Sequence, residues 1–566
     1  MKNKVNKILL WVLTGAVVFS SCDKKLTENN PSGLTPDVTY TTAKGFETLV
    51  NAAYTYTRFW YGKEEGYSLA EMGTDIWTNG SGDVLTQLSR YDNLQGSNTA
   101  ALNLEWDNFY AAIYLINDGL AKINDVTDYT AAQKTTRSAE LRFLRAFYYW
   151  HIVETWGGVH LTTEATPGGV VESTANKAPV DKFYTLIFED LDFAVKNLSK
   201  SSTDYGRVTI PVAKAFLARM YLTRGMNAQA LAMATDIITG NKDYSYTLAP
   251  KFGDLWNMGN LKNKEVIWAI DYSTNLSNND LATSAFPTGH SRGSNSGHML
   301  FLQVYDQVNS SILVRDIPNG RPFNRYMPTK ALLDMFNESD DSRYQASFQT
   351  VWYANKEATT AGNAFTKTVS SFKVGDTVCY TPKVAIDTNI SNAKPYTTYD
   401  MSRVYNAKGI PSQRKWYVSL KKFKDSTRAS FNEAQSARDV YIMRLAEMHL
   451  IAAEAEFKLG NPGNAAAHLN KLRTRAAIPG HEAAMQITAA DVTLDFILDE
   501  RARELAGEQL RWFDLKRTNK LIDRVTRLNP DAAQYIKPFH TVRPIPQSQI
   551  DAVTNKGEFT QNEGYQ

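Results

Sequence analysis

The sequence predicts a mainly α-helical fold, a tetratricopeptide-like scaffold of paired helices with long irregular loops and a few short strands. Three observations carry this. Apolar residues recur at three- and four-residue spacing through most of 42–240 and 444–517. Two helix–turn–helix stretches, 211–240 and 444–473, resemble each other, and the segment between them, about 250–430, has no helical period. A chain of 566 residues can bury a large core.

The first residues bear on location. Lys2, Lys4 and Lys7 precede an apolar run from Ile8 to Phe19, too short to span a bilayer, and Ser20-Ser21-Cys22 follow. This reads as a secretory signal over 1–21. The small-residue pair ending in cysteine resembles a bacterial lipobox, which would make Cys22 the lipidated N-terminus; the alternative is a conventional signal peptide with an incidental cysteine. Residues 22–40, polar and containing Asn29-Asn30-Pro31-Ser32-Gly33, read as a flexible tether. Cys379 is the other cysteine, so no internal disulfide is expected. Without the three leader lysines the basic and acidic side chains balance at 59 each. A neutral surface gives no general attraction to nucleic acid.

The helical scaffold starts at 42–58, where Phe46, Leu49, Val50, Ala53 and Tyr54 share a face. Residues 61–98 are rich in Gly, Asn, Ser and Asp and are predicted to form a long loop carrying Asp75, Trp77, Asn79 and Tyr91. Helical spacing resumes over 102–123, with Trp106, Tyr110, Ile113 and Asn117, and again over 137–156, closed by Gly157-Gly158. His151, among apolar neighbours, reads as a core histidine rather than a metal ligand. In the two similar stretches Ala218, Gly225, Ala230 and Ala234 correspond to Ala453, Gly460, Ala465 and Leu469, small residues at close approaches and glycine at the turn. Such pairs cannot bury their apolar faces alone, so they are expected to stack. The chain thus divides into an N-terminal helical part (41–249), an irregular excursion (250–430) and a C-terminal helical part (431–566), with 41–566 expected to form one compact unit. Within the excursion, 266–270 and 417–420 read as strands and 329–337 as a helix, while 273–297 is a polar loop holding Phe286 and Arg292. Near the end, two amphipathic pieces meet at Gly507, and Glu508/Arg511 and Asp514/Arg517 stand at the three-residue spacing of helix-surface ion pairs.

Catalytic signals are weak. Gly289-His290-Ser291-Arg292-Gly293 fits the G-x-S-x-G pattern, but neither the preceding strand nor the following helix that would strain a nucleophile elbow is legible. The eight histidines form no metal-binding spacing, and no phosphate-binding glycine loop is present.

The run Arg501-x-x-Glu504-Leu505-x-Gly507-Glu508-x-x-Arg511-Trp512-Phe513-Asp514-Leu515-x-Arg517 resembles the signature of the SusD/RagB family of outer-membrane nutrient-binding lipoproteins. Further similarity lies in the Trp106, Tyr110, Ile113, Asn117 series, in 140–158, 444–455, Arg321-Pro322-Phe323 and Asp341-Ser342-Arg343. The ending Gln561-Asn562-Glu563-Gly564-Tyr565 also matches, although Glu563 replaces the usual proline. The resemblance implies a SusD-like helical fold, no enzymatic activity, no cofactor, a surface-exposed lipid anchor, and a SusC-like TonB-dependent transporter as partner. The implied cargo is an oligosaccharide, or a peptide as for RagB-type members.

A sugar presents an apolar C–H face ringed by hydroxyls, so its site needs aromatic platforms edged by amides, carboxylates or guanidiniums. The two polar loops contain that mixture. The candidates are Trp77 and Phe286 as platforms, Tyr91 and Tyr272 beside them, and Asp75, Asn79 and Arg292 at the edge; the competing reading of each aromatic is a buried anchor that pins its own loop.

Overall fold

The computed structural model describes residues 39–166, 173–275, 295–366 and 369–565. Cys22, the leader, most of the tether, Phe286, Ser291 and Arg292 lie outside them. The N-terminal part comprises α1 (Ala43–Thr55), α2 (Glu64–Glu71), α3 (Ala100–Lys122), α4 (Ala131–Trp156), α5 (Val180–Asn197), α6 (Ile210–Thr223) and α7 (Asn227–Thr239). The C-terminal part comprises α8 (Leu445–Lys458), α9 (Pro462–Ala476), α10 (Leu494–Leu505), α11 (Arg511–Arg517) and α12 (Leu521–Leu528).

Helices α3 to α9 pack each on the next in chain order. The run continues across the excursion, because α7 packs directly on α8 although some two hundred residues separate them. Thus the two similar stretches are neighbouring units of one stack. Each turns on a glycine with left-handed backbone, Gly225 (φ +71°) and Gly460 (φ +85°), and open space surrounds both. Conformation rather than crowding therefore requires glycine there. Helix α4 starts earlier than its apolar stripe suggests, at a capping box between Thr130 and Gln133. Helix α5 was not read from the sequence, though Phe183, Ile187, Leu191 and Ala194 mark a buried face at helical spacing. Among the described residues no helix is long and apolar enough to cross a membrane.

The excursion leaves and returns through an antiparallel ribbon, with Val266–Ile270 paired to Val440–Arg444. Between its ends lie short ladders, including Ser419–Leu420 with Phe348–Gln349, and the helix predicted over 329–337 is the shorter Lys330–Asp334. These pieces build a second hydrophobic core around Leu300, Phe301, Tyr326, Met327, Trp352 and Tyr417. The region expected as a free loop, 61–98, belongs to that assembly. It contains α2, the short helix Thr86–Arg90 and the strand Trp77–Asn79, which pairs with Tyr326–Pro328 and inserts Trp77 among the apolar residues. Its many glycines serve close approaches and not mobility: a Cβ at Gly80 would sit 2.3 Å from the Asn324 carbonyl oxygen.

The cores meet at α10, where a buried charge network ties the parts together. Glu504 accepts from Arg343 (3.0 Å), Arg444 (2.7 Å) and Arg475, while Glu500 accepts from Arg343 (2.8 Å), Arg473 (2.9 Å) and Arg503 (2.7 Å). Glu508 accepts from Arg444 (2.8 Å) and Lys422 (3.1 Å), and Asp514 from Arg501 (2.7 Å) and Arg517 (2.8 Å). The ion-paired joint between α10 and α11 is therefore present, and the Asp514–Arg517 pair forms. Arg511, however, reaches Asp75 (2.6 Å) instead of Glu508. Burial opposes ionisation of these carboxyls, but the surrounding guanidiniums hold Glu500, Glu504, Glu508 and Asp514 below the usual carboxylate range.

Removing one partner strands a buried charge, so Arg343→Ala is expected to cost about 3–5 kcal/mol in urea unfolding. Trp77→Ala, which empties part of the second core, should cost about as much. Folded pKa values below the unfolded ones mean that the network's stabilisation is complete above the unfolded range, begins to fall as pH drops below it, and is gone only once pH has passed the depressed folded values. The urea midpoint should therefore drop between about pH 5 and pH 3; a midpoint flat over that window would contradict the charge assignment.

Candidate functional site

Five of the sequence-derived site residues lie among the described residues, and all five are buried. Trp77 has no exposed surface and stands edge-on to Phe301, centroids 4.9 Å apart. Asp75 receives Arg511 and Arg524, each at 2.6 Å; burial would raise its carboxyl, but the two cations hold it low. Asn79 accepts from Arg90 (2.9 Å) and Arg414 (3.0 Å). Tyr91 donates to the Gly73 carbonyl (2.9 Å) and stacks on His540 at 4.8 Å. Tyr272 donates to the Tyr61 carbonyl (2.9 Å) beneath the Arg58 guanidinium. These five side chains act as anchors, each polar atom named being bonded inside the protein, although Tyr272 also borders the cleft at the loop bases. His151 is a core histidine, bonded to the Phe147 carbonyl at 2.9 Å and pushed down to about 3 by burial.

The two loops nevertheless meet at their bases. Tyr272 bonds Tyr61, and the Ser296 amide donates to the Gly62 carbonyl (2.8 Å), so the 273–297 excursion springs from the start of 61–98. Beside that base is an open cleft of about 510 Å³ lined by Lys262, Asp271, Tyr272, Thr274 and Asp439. Burial, with the nearby Asp271 charge, pushes the Asp439 carboxyl up to about 7.

Outward-facing aromatic surface lies elsewhere, on segments outside the two polar loops. Phe365 is 46% exposed, its edge meets Tyr399 (5.4 Å, 67°), and Tyr399 stacks flat on Trp416 (4.7 Å, 13°). Tyr399 is buried and Trp416 half-buried. The indole is fixed, its N–H donating to the Val304 carbonyl (3.2 Å) and one face covered by Tyr399. Arg403 lies 4.1 Å from the Phe365 centroid and is itself held by the Thr398 carbonyl (2.7 Å) and the Asn392 side chain (2.8 Å). The exposed Lys415 adds a donor at the other end.

Asn324 supports this shelf. In left-handed conformation (φ +56°), it accepts from the Ser81 amide (2.7 Å) and donates to the Lys415 carbonyl (3.1 Å) and the Tyr417 hydroxyl (3.1 Å). The tip of the 61–98 segment is thereby tied to the strip that carries Trp416. Nearby Phe323 lies under Arg321 and Arg325, 5.3 Å from each. A fixed aromatic step bordered by cationic donors can stack on an apolar ring face and bond its substituents, without any reacting group. The sequence signal was weak: Trp416 follows the polar run Ser412-Gln413-Arg414-Lys415 but leads directly into the apolar Tyr417 and Val418, and Phe365 sits in the polar stretch Asn363 to Lys367. Among the described residues no group of three or more potential metal ligands occurs.

Comparison with known proteins agrees with this architecture. The profile described as the SusD family matches residues 264–565, and a second, described as starch-binding associating with outer membrane, matches 34–222. The SusD-like protein P25 of Formosa agariphila is 25% identical, over 99% of this chain and all of that protein. A SusD-like protein of Bacteroides ovatus is also 25% identical, over 91% and 82%. Among solved structures, a laminarin binding SusD-like protein superposes with a TM-score of 0.69 at 24% identity, covering 93% of this chain and all of that one. The surface glycan-binding protein A of Bacteroides thetaiotaomicron, in complex with laminarihexaose, gives 0.65 at 20% identity, over 92% and 99%. With a stacked helical scaffold, a signature region that forms its buried charge centre, and a family profile spanning more than half its length, the chain belongs to the SusD family.

Proposed function

We propose that this protein is a cell-surface glycan-binding lipoprotein that captures oligosaccharides and delivers them to a SusC-like TonB-dependent transporter in the outer membrane. In this reading Cys22 carries the lipid anchor, and the polar segment after it lets the helical body stand off the membrane. The observation that carries glycan capture is the shelf of Trp416, Tyr399 and Phe365. Its rings are immobilised before ligand arrives, so little side-chain entropy is lost on binding. The laminarin binding SusD-like protein and the surface glycan-binding protein A complexed with laminarihexaose support the ligand class. The family description of outer-membrane association supports the location.

Phe286 and Arg292, which lie outside the described residues, extend the proposal as a further aromatic and a further donor for the captured chain. No reacting group is required of the protein, and Ser291 has no role in this reading.

The test is calorimetry on the soluble chain beginning at residue 31, with laminarin-, starch- and xylan-derived oligosaccharides. One of these should bind, and Trp416→Ala should weaken that binding at least tenfold, the loss of about 1.4 kcal/mol or more, with the melting temperature little changed. Phe286→Ala should weaken it less. Binding of a peptide mixture with no response to any glycan would replace this reading with peptide capture.

A further inference from the structure

We propose a second sugar site, on the helical scaffold and independent of the shelf, in the cleft between α3 and the C-terminal segment. The cleft has a volume of about 330 Å³, room for one or two pyranose rings, and is walled by Trp106, Asp107, Tyr110 and Tyr114 on one side and Gln549 and Phe559 on the other. None of these residues belongs to the shelf or to the excursion.

The floor follows from helix geometry. Trp106, Tyr110 and Tyr114 stand four residues apart on α3, so their Cα atoms line up along one face at intervals of about 6 Å. That spacing is comparable to the length of a pyranose unit. The rings are held rather than loose. Trp106 lies 4.7 Å from Tyr110 and edge-on to Trp156 at 5.0 Å, and the Tyr110 hydroxyl donates to the His160 carbonyl at 2.6 Å. Tyr114 is half-buried and lines the cleft.

The rim supplies the polar half of the recognition. Asp107, the residue after Trp106, accepts from the Gln549 side-chain amide at 2.9 Å. Burial at the cleft edge pushes its carboxyl up from the ordinary range. A carboxylate and an amide side by side can accept from and donate to adjacent hydroxyls of one ring, while the half-buried Tyr114 ring takes its C–H face; Trp106 and Tyr110, both buried, present only their edges to the cleft. Among the described residues that wall the cleft there is no lysine or arginine, and the basic side chain there is the imidazole of His160. A phosphate or an acidic sugar would therefore face Asp107 unopposed by lysine or arginine, and the ligand class that fits is a neutral mono- or disaccharide.

The test is saturation-transfer NMR and calorimetry with maltose, cellobiose and laminaribiose on the Trp416→Ala protein, in which the shelf is disabled. Saturable binding of at least one disaccharide is expected there. Adding Asp107→Ala or Tyr114→Ala should weaken it at least tenfold, with an unchanged circular dichroism spectrum and melting temperature. Each of those two substitutions alone should leave the Trp416-dependent oligosaccharide affinity within about twofold, an energy difference of some 0.4 kcal/mol. The proposal is overturned if no disaccharide binds the Trp416→Ala protein, or if both α3 variants bind as tightly as their parent. It is also overturned if choline, a cation suited to an aromatic cage beside a carboxylate, binds the protein in a Tyr114-dependent way and no disaccharide competes with it.

Discussion

Glu504 is the constraint on which the rest of the structure depends. Its carboxylate is fully buried and accepts from three guanidiniums that arrive from separate parts of the chain. Arg343 comes from the excursion, Arg444 from the strand that closes it, and Arg475 from the end of α9. Arg444 also reaches Glu265, at the start of the excursion, and Glu508, just beyond α10 (2.8 Å each). A charge sealed from water must find its partners in fixed geometry, so these contacts place the excursion's two ends and its middle against the helical stack. Apolar packing alone specifies position less sharply, because greasy surfaces tolerate sliding.

This centre explains how a long insertion can interrupt a helical stack without dividing it. Helices α7 and α8 bury their faces against each other as if adjacent in sequence, and the ribbon of 266–270 with 440–444 closes the neck of the excursion. What lies beyond the neck then needs a core of its own. It obtains one by recruiting 61–98, which supplies Tyr67, Met72, Ile76 and Trp77. The recruitment consumes the aromatic and polar groups of that segment. Exposed aromatic surface is left to the residues that the second core does not need, at its outer edge, where Phe365 and Trp416 stand.

Division of labour between buried and exposed aromatics follows from the same economy. The helical core sets Trp60, Phe147, Trp150 and Phe513 edge-on around His151, and Trp156 edge-on to Trp106. There the ring area is worth most when completely removed from water. Among the described tryptophans only Trp256 and Trp416 keep partial exposure, and Trp416 alone of the two rests on the outer shelf. A tryptophan with its N–H bonded and one face stacked gains most of its burial energy while leaving surface for a ligand.

The helical architecture was legible in the residues themselves. Periods of three and four placed most helices, and the matched Gly225 and Gly460 exposed the repeat. The charged run from Arg501 to Arg517 announced a paired joint, since alternating charges on an apolar stripe must be solvated or matched. The helix at 180–197 had the same signal and needed only to be read. What local pattern could not convey was which side of a loop faces inward. The glycines and asparagines of 61–98 look identical whether they serve mobility or close backbone approach, and only the neighbours supplied by residues 300–328 distinguish the two. Arg511 likewise had one partner at helical spacing, Glu508, and a distant one, Asp75; the network around Arg444 took the first, so the second prevailed. The sequence by itself determined the elements and the family because those depend on interactions within a few turns of chain. The tertiary structure decided the site, because exposure of a ring is settled by everything that could have covered it.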